Sequence, residues 1–156
     1  MIRYGIVQLS DLQFGPKHRF GSPSKIHDSI AYDVEGLAEK YQFLPIYILL
    51  TGDITETAHA NEFTEAGEVI QKIADRISID QDSILCVPGN HDINWKLAEV
   101  ASTVGDANLK YNNYNKFAQN HCNKYSLVTP EYYNRFFDHR LGIEFLFLNY
   151  ELIKTY

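Results

Sequence analysis

The chain has 156 residues, of which 45% are apolar and 22% charged, and its net charge is −6. This length predicts one domain, residues 1–156, and the composition is typical of a globular chain rather than a disordered one. The negative balance argues against a broad phosphate-binding surface for nucleic acid. The apolar runs of the sequence are too short for a membrane span.

The two cysteines and the N-terminal residues indicate in which cellular compartment the protein is expected. Cys86 and Cys122 have no metal-binding spacing, and Cys86 lies inside an apolar run typical of a buried strand. They indicate no disulfide framework, so a reducing cytoplasm is the expected location. The stretch Met1–Leu9 is too short and too polar to be a signal peptide.

The first half of the chain alternates strands with helices. We predict a strand over Ile2–Leu9, buried on both faces, and a second strand, Ile46–Leu50, that follows Pro45. A helix that starts near Asn61 leads to a third strand, Ser83–Val87. This order predicts parallel strands joined by right-handed crossovers. The two helices between the strands have apolar stripes, formed by Ile26, Ile30, Val34, Leu37 and Tyr41 in one and by Phe63, Ala66, Ile70, Ile73 and Ile77 in the other.

The second half is less regular. Residues Trp95–Val104 are compatible with a helix or a loop, and Asn108–Tyr125 has the spacing of a weakly amphipathic helix. The apolar segments Tyr132–Phe137 and Ile143–Asn149 flank the turn sequence Asp138–Gly142. We therefore predict that the chain continues into an antiparallel hairpin.

Polar side chains follow each of the three predicted strands of the first half. The first strand runs into Ser10-Asp11-Leu12-Gln13, the second into Thr51-Gly52-Asp53, and the third into Pro88-Gly89-Asn90-His91-Asp92. Ligands of open α/β sheets cluster beyond the carboxyl ends of the strands, so we expect these side chains to share one site. Carboxylate and amide oxygens together with a histidine indicate divalent metal.

These three blocks resemble the first three motifs of the calcineurin-like metallophosphoesterases, which are Asp-x-His, Gly-Asp and Gly-Asn-His-(Asp/Glu). They read here Asp11-Leu12-Gln13, Gly52-Asp53 and Gly89-Asn90-His91-Asp92, in the same order and with the same placement after strands. The resemblance covers the chain from Ile2 to Tyr150. It implies an α/β fold, a four-layer α/β/β/α sandwich in which the hairpin starts the second sheet.

The resemblance also implies an activity and a role for each residue. The activity is metal-dependent hydrolysis of a phosphomonoester or phosphodiester by a water that two divalent ions activate. Asp53 bridges the ions, Asp11 and Gln13 belong to the first, and Asn90 belongs to the second. Asn90 and His91 contact the phosphate, and His91 also protonates the leaving oxygen as the catalytic residue. Asp92 is expected to cap or orient its loop and is not assigned as a ligand.

The expected cofactors are two divalent ions, Mn²⁺ first, with Mg²⁺, Fe²⁺ and Zn²⁺ as alternatives. The expected partner is a phosphate-ester substrate, with a nucleotide or a nucleic-acid end among the options. His18 and Arg19, beside Lys17, form a basic group in the loop after the first strand, where it can meet a substrate phosphate or be an ordinary solvated loop. His18 is also close enough in sequence to act as a metal ligand.

The chain departs from the family pattern in two ways. Gln13 stands where the family has histidine, and the chain stops at Tyr156 before the family's later histidine motifs. Gln13 leaves three options open: a weakened first ion, a different metal, or a site that only binds. We expect the domain to be incomplete at its C-terminus, with an unfinished edge beside Phe145–Leu148 that favours self-association or pairing with a missing C-terminal half. The alternative function is therefore a weakly active or inactive phosphoesterase-like scaffold that binds a partner.

Overall fold

A computed structural model describes residues 2–16, 26–106, 108–128 and 133–149. The predicted alternation of strands and helices is confirmed, and residues 95–104, left open by the sequence, form a helix. Within the described ranges, no helix is long and apolar enough to pass through a lipid bilayer. The strands are β1 (Arg3–Leu9), β2 (Phe43–Thr51), β3 (Ile84–Val87), β4 (Tyr133–Asp138) and β5 (Ile143–Leu148), and the helices are α1 (Ile26–Tyr41), α2 (Ala60–Arg76), α3 (Trp95–Val104) and α4 (Asn112–His121).

The first three strands form a parallel sheet in the order β1-β2-β3, as the sequence predicts. Strand β2 is longer than expected, because it begins at Phe43 and contains Pro45 instead of following it. Proline has no N–H to give to the ladder, and the register shifts beside it, so that Gly5 pairs with Pro45 and Ile6 with Tyr47. A proline in a strand is tolerated at such an irregularity.

Strand β1 is not buried on both faces, and that prediction is wrong. It is an edge strand of the described sheet, and its residues alternate between half-buried and exposed. Val7 and Leu9 pack into the core, whereas Ile6, on the opposite face, is 47% exposed. The imperfect alternation of the sequence reflects an apolar outer face that the described part of the chain leaves open.

The main core lies between one face of the sheet and the helices. Ile48 and Leu50 of β2 and Ile84 and Cys86 of β3 are buried in this core, which also contains the apolar face of α2. Helix α1 contributes less than its apolar stripe predicts, because its last two stripe positions are about half exposed. From α1, α2 and α4 the buried members include Ala31, Val34, Phe63, Ala66, Ile70, Ile73, Tyr114 and Phe117.

The β4–β5 hairpin packs on the other face of the sheet and confirms the predicted second layer of strands. The aromatic rings of Phe136 and Phe145 meet the ring of Tyr47 edge to face, and Leu85 and Phe147 are buried beside them. The α/β class is thus confirmed, with helices, a parallel sheet and a hairpin as successive layers. A groove of about 280 Å³ remains between the sheets, lined by residues of β2, β3 and β5 that are apolar except for Thr51.

A hydrogen-bonded group fixes the hairpin turn to the sheet. The hydroxyl of buried Tyr47 donates to Asp138 Oδ2 at 2.5 Å, and Arg140 also donates to this carboxylate. Burial and the neighbouring Asp138 carboxylate raise the pKa of Tyr47 from 10.0 to about 12. The guanidinium of Arg140 and the Tyr47 hydroxyl lower the pKa of Asp138.

Tyr47→Phe is expected to lower the free energy of unfolding by about 1–2 kcal/mol at neutral pH, because one hydrogen bond to a carboxylate is lost. The raised pKa means that the bond stabilises the wild type fully below pH 10.0 and progressively less as pH rises to about 12. Denaturant unfolding across this pH range should therefore show the two proteins converging. Tyr32→Phe, at an exposed residue of α1, is the control, and a gap that stays constant with pH would contradict the assignment.

Candidate metal centre

Three loops meet at the edge of the parallel sheet where β1, β2 and β3 end. The strands are neighbours and run in the same direction, so the segments that follow them lie side by side. Their polar side chains are here called the strand-end cluster, which consists of Asp11, Gln13, Asp53, Asn90 and His91. The structure thus places the three loops that carry these five residues next to one another.

Backbone hydrogen bonds join the loop after β1 to the loop after β2. Asp11 N donates to Gly52 O at 3.3 Å, and Gln13 N donates to Asp53 O at 2.9 Å. Phe14, which is fully buried, continues this ladder with a bond from its N–H to Ile54 O. The positions of Asp11 and Gln13 relative to Asp53 are therefore set by the main chain rather than by their own side chains.

The loop after β3 fits against Asp53. His91 N donates to Asp53 Oδ1 at 3.1 Å. A Cβ atom added at Gly89 would collide with Asp53 Oδ1 and lie 2.5 Å from Asp53 N. Because the φ of Gly89 is −97°, which any residue can adopt, the glycine is needed here for space. Because Gly89 has no side chain, the Asp53 carboxylate lies directly against its backbone, in a space that is here called the cradle.

Three members of the cluster have a left-handed backbone although none is glycine. The φ angles are 55° for Asp11, 47° for Gln13 and 52° for Asp53. Such conformations cost free energy, and they concentrate at functional sites, where the surrounding contacts impose them. In the described residues, no hydrogen bond engages the side-chain amide of Gln13 or Asn90, so both amides are available to a ligand.

A hydrogen bond to the imidazole ring of His91 holds the ring in one orientation. Nδ1 lies 2.8 Å from the carbonyl oxygen of Glu56, and a carbonyl only accepts hydrogen bonds, so Nδ1 carries a proton. In the neutral ring, the other nitrogen, Nε2, is then the one without a proton. Sequence reasoning did not find this role of Glu56, because a main-chain carbonyl has no residue-type signal.

Asp92 lies behind the cluster and is completely buried. Its Oδ2 accepts from Gly89 N at 2.9 Å and from Ile54 N at 3.1 Å, and its Oδ1 accepts from the N–H and hydroxyl of Thr55. Burial raises the pKa of this carboxyl, while the hydrogen bonds act in the opposite direction. Asp92 therefore orients its loop, as the sequence predicts, and also reaches the loop after β2.

The donors of the cluster fit hard divalent cations. Carboxylate and amide oxygens are the ligands that Mg²⁺ and Mn²⁺ prefer, and the cradle at Gly89 leaves room for the Asp53 carboxylate. No group of three or more His, Cys, Asp or Glu side chains that could hold a metal occurs in the part of the chain described here. Asp11, Asp53 and His91, the three cluster members of these types, are therefore not arranged as such a group in the described structure. His18 and Arg19, the other predicted substrate contacts, lie outside the described residues.

A comparison with protein families gives one relevant match. A family model described as calcineurin-like phosphoesterase matches residues 4–152. The matched region contains the parallel sheet except Arg3, the hairpin and every member of the strand-end cluster. None of the curated proteins compared with the chain matches it.

Proposed function

The chain belongs to the calcineurin-like phosphoesterase family, and we propose that it hydrolyses phosphomonoester or phosphodiester bonds with two divalent metal ions. The family generally uses dinuclear divalent metal centres, and phosphoester hydrolysis is its activity. The observation that carries the proposal is the interlocking of three loops, which brings two carboxylates, two free amides and an oriented histidine to one sheet edge. These are the residues that we propose as the site.

The proposed division of ligands follows the order of the loops. Asp53 lies between its neighbours, since its main chain bonds to the loop of Gln13 and its carboxylate to the loop of His91. It is therefore proposed as the shared ligand, with Asp11 and Gln13 on one side and Asn90 on the other. Two bound divalent ions would polarise a phosphoryl group and lower the pKa of water.

The proposed catalytic residue is His91. Because its Nδ1 proton is held by Glu56 O, a proton added at Nε2 can be given to the oxygen that leaves phosphorus. The backbone bond from His91 N to Asp53 Oδ1 keeps the main chain of His91 next to the proposed shared ligand. Asn90 and His91 are also proposed to contact the substrate phosphate, and His18 and Arg19 remain proposed as additional contacts.

Mn²⁺ is the proposed ion because Gln13 supplies an amide oxygen where the family pattern has an imidazole. An amide oxygen suits a hard ion better than it suits Zn²⁺. The proposed substrates are phosphate esters, with a nucleotide or a nucleic-acid end among the options, and the net charge of −6 favours small substrates. A reducing cytoplasm is proposed as the location, because Cys86 and Cys122 are both free and buried.

A partner-binding scaffold is the competing proposal, and one observation favours it. Leu146 and Leu148 of β5 are 60% and 58% exposed, beside the apolar groove between the sheets. Contiguous apolar surface of this kind marks interaction sites. A scaffold of this kind would bind its partner without any need for metal.

Calorimetric titration of the 156-residue chain with Mn²⁺, together with hydrolysis of bis(p-nitrophenyl) phosphate, tests the proposal. We expect two ions to bind and hydrolysis to require them. A metal chelator should abolish turnover, and renewed Mn²⁺ should restore it. Absence of both Mn²⁺ binding and turnover in the folded chain would favour the scaffold instead.

A further inference from the structure

We propose that Asp92 is a positioning residue, which fixes Asp53 relative to Asn90 and His91 and thereby sets the affinity of the cluster for divalent ions. This inference rests on the proposed function, but it concerns a side chain that is neither ligand nor catalytic residue. Asp92 is completely buried, so it acts on the site only through the groups to which it is bonded.

Three of the hydrogen bonds to Asp92 cross between two loops. Its carboxylate accepts from Ile54 N at 3.1 Å, from Thr55 N at 2.9 Å and from the Thr55 hydroxyl at 3.0 Å. Asp92 itself belongs to the turn that carries Asn90 and His91. One carboxylate therefore ties the loop after β2 to the loop after β3.

In both loops, the residues joined by Asp92 are next in sequence to members of the strand-end cluster. Ile54 directly follows Asp53, and Asp92 directly follows His91, so the cross-loop bonds of Asp92 flank the bond from His91 N to Asp53 Oδ1. Gly89, whose N–H also donates to Asp92, makes the cradle for the Asp53 carboxylate. A shift of Asp92 would therefore move the shared ligand and the catalytic loop relative to each other.

Each oxygen of Asp92 faces a backbone N–H, which makes asparagine an informative substitute. In Asp92→Asn the new NH₂ group must face either Thr55 N, or both Ile54 N and Gly89 N. Two donors cannot bond to each other, so at least one cross-loop bond is lost in either orientation of the amide. The side-chain volume stays the same, so packing is preserved.

A matched control separates positioning from stability. Asp138 is also a buried carboxylate with several donors, but it lies in the hairpin turn beside Tyr47 and Arg140. Both Asp92→Asn and Asp138→Asn are expected to lower the thermal midpoint, since each removes an acceptor from buried donors. Only Asp92→Asn is expected to change metal binding.

Mn²⁺ titration of the folded variants by calorimetry is the test. We expect Asp92→Asn to weaken Mn²⁺ binding by about 10- to 100-fold, the usual effect of changing a residue that orients metal ligands, and Asp138→Asn to leave the affinity unchanged. Thr55→Val removes one donor to Asp92 Oδ1 and should weaken binding less, while Thr55→Ser keeps the hydroxyl and should restore it.

The outcomes separate this inference from the proposed function. Wild-type affinity in both Asp92→Asn and Thr55→Val, in a chain whose Mn²⁺ binding needs Asp53, would overturn the positioning role alone. Equal weakening by Asp92→Asn and Asp138→Asn would also overturn it, because loss of stability would then explain both. If the folded wild type binds no Mn²⁺, the positioning role and the proposed function fail together.

Discussion

Asp53→Asn is expected to abolish metal-dependent hydrolysis, with a loss of about 10²–10³-fold or more, the cost of removing one preorganised charge-stabilising group from an active site. Asp53 is the proposed shared ligand, so the substitution removes one negative charge from the environment of both ions. Turnover at saturating Mn²⁺ and calorimetric stoichiometry are the measurements. We expect fewer ions bound as well as the loss of turnover.

The fold should survive this substitution. The side-chain oxygen of asparagine can still accept the hydrogen bond from His91 N that Asp53 Oδ1 accepts at 3.1 Å. The φ of 52° at this position suits asparagine, which adopts the left-handed region more readily than most residues. The thermal midpoint should therefore stay near that of the wild type, which attributes the lost activity to the missing charge.

Asp33→Asn is the matched control, because Asp33 is an exposed residue of α1 and its replacement changes the net charge equally. It should leave Mn²⁺ binding and turnover as in the wild type. Undiminished turnover in Asp53→Asn at saturating Mn²⁺ would remove Asp53 from the proposed site and with it the proposed ligand order.

The sequence predicts correctly that three polar loops meet at one edge of the sheet, because the signal is local. Asp11, Asp53 and Asn90 each follow an apolar strand within a few residues, and parallel strands that are neighbours in a sheet must end at one edge. The alternation of strands and helices then predicts that the strands of the sheet are parallel. Nothing beyond residue type, spacing and the geometry of parallel strands is needed for this step.

The connections that align the cluster are invisible in the sequence because they use the main chain. The bond from Gln13 N to Asp53 O and the bond from His91 Nδ1 to Glu56 O involve carbonyls that every residue has. Their partners depend on loop conformations with φ near 50°, which Gln13 and Asp53 adopt against their intrinsic preference. Residue type alone therefore identifies the residues proposed for the site but not the way their loops are aligned.

The wrong parts of the fold prediction have the same cause, because residue type does not show which other segments a strand contacts. The sequence predicts that β1 is buried on both faces, yet β1 lies at the edge of the described sheet. An apolar strand has a similar sequence in either place, because the difference depends on which other segments cover it. The sequence also predicts that β2 follows Pro45, whereas the shifted register beside Pro45 lets the strand include it.

His91→Asn is expected to lower kcat by about 10²–10⁴-fold, the usual contribution of general acid–base catalysis. Asparagine places an amide N–H near the position of His91 Nδ1, so the bond to Glu56 O at 2.8 Å can be kept while Nε2 is removed. The main-chain bond to Asp53 Oδ1 does not depend on the side chain. We therefore expect calorimetry to give a nearly unchanged affinity for Mn²⁺.

The choice of leaving group makes this prediction specific to proton donation. A p-nitrophenolate leaves without protonation, whereas an alkoxide needs a proton, so His91→Asn should slow the hydrolysis of an alkyl phosphate ester more than that of a p-nitrophenyl ester. His139→Asn, in the exposed hairpin turn, should change neither rate. Equal losses on the two esters would indicate that His91 binds the phosphate but does not protonate the leaving oxygen, since a binding contact to the phosphoryl group acts on both substrates alike.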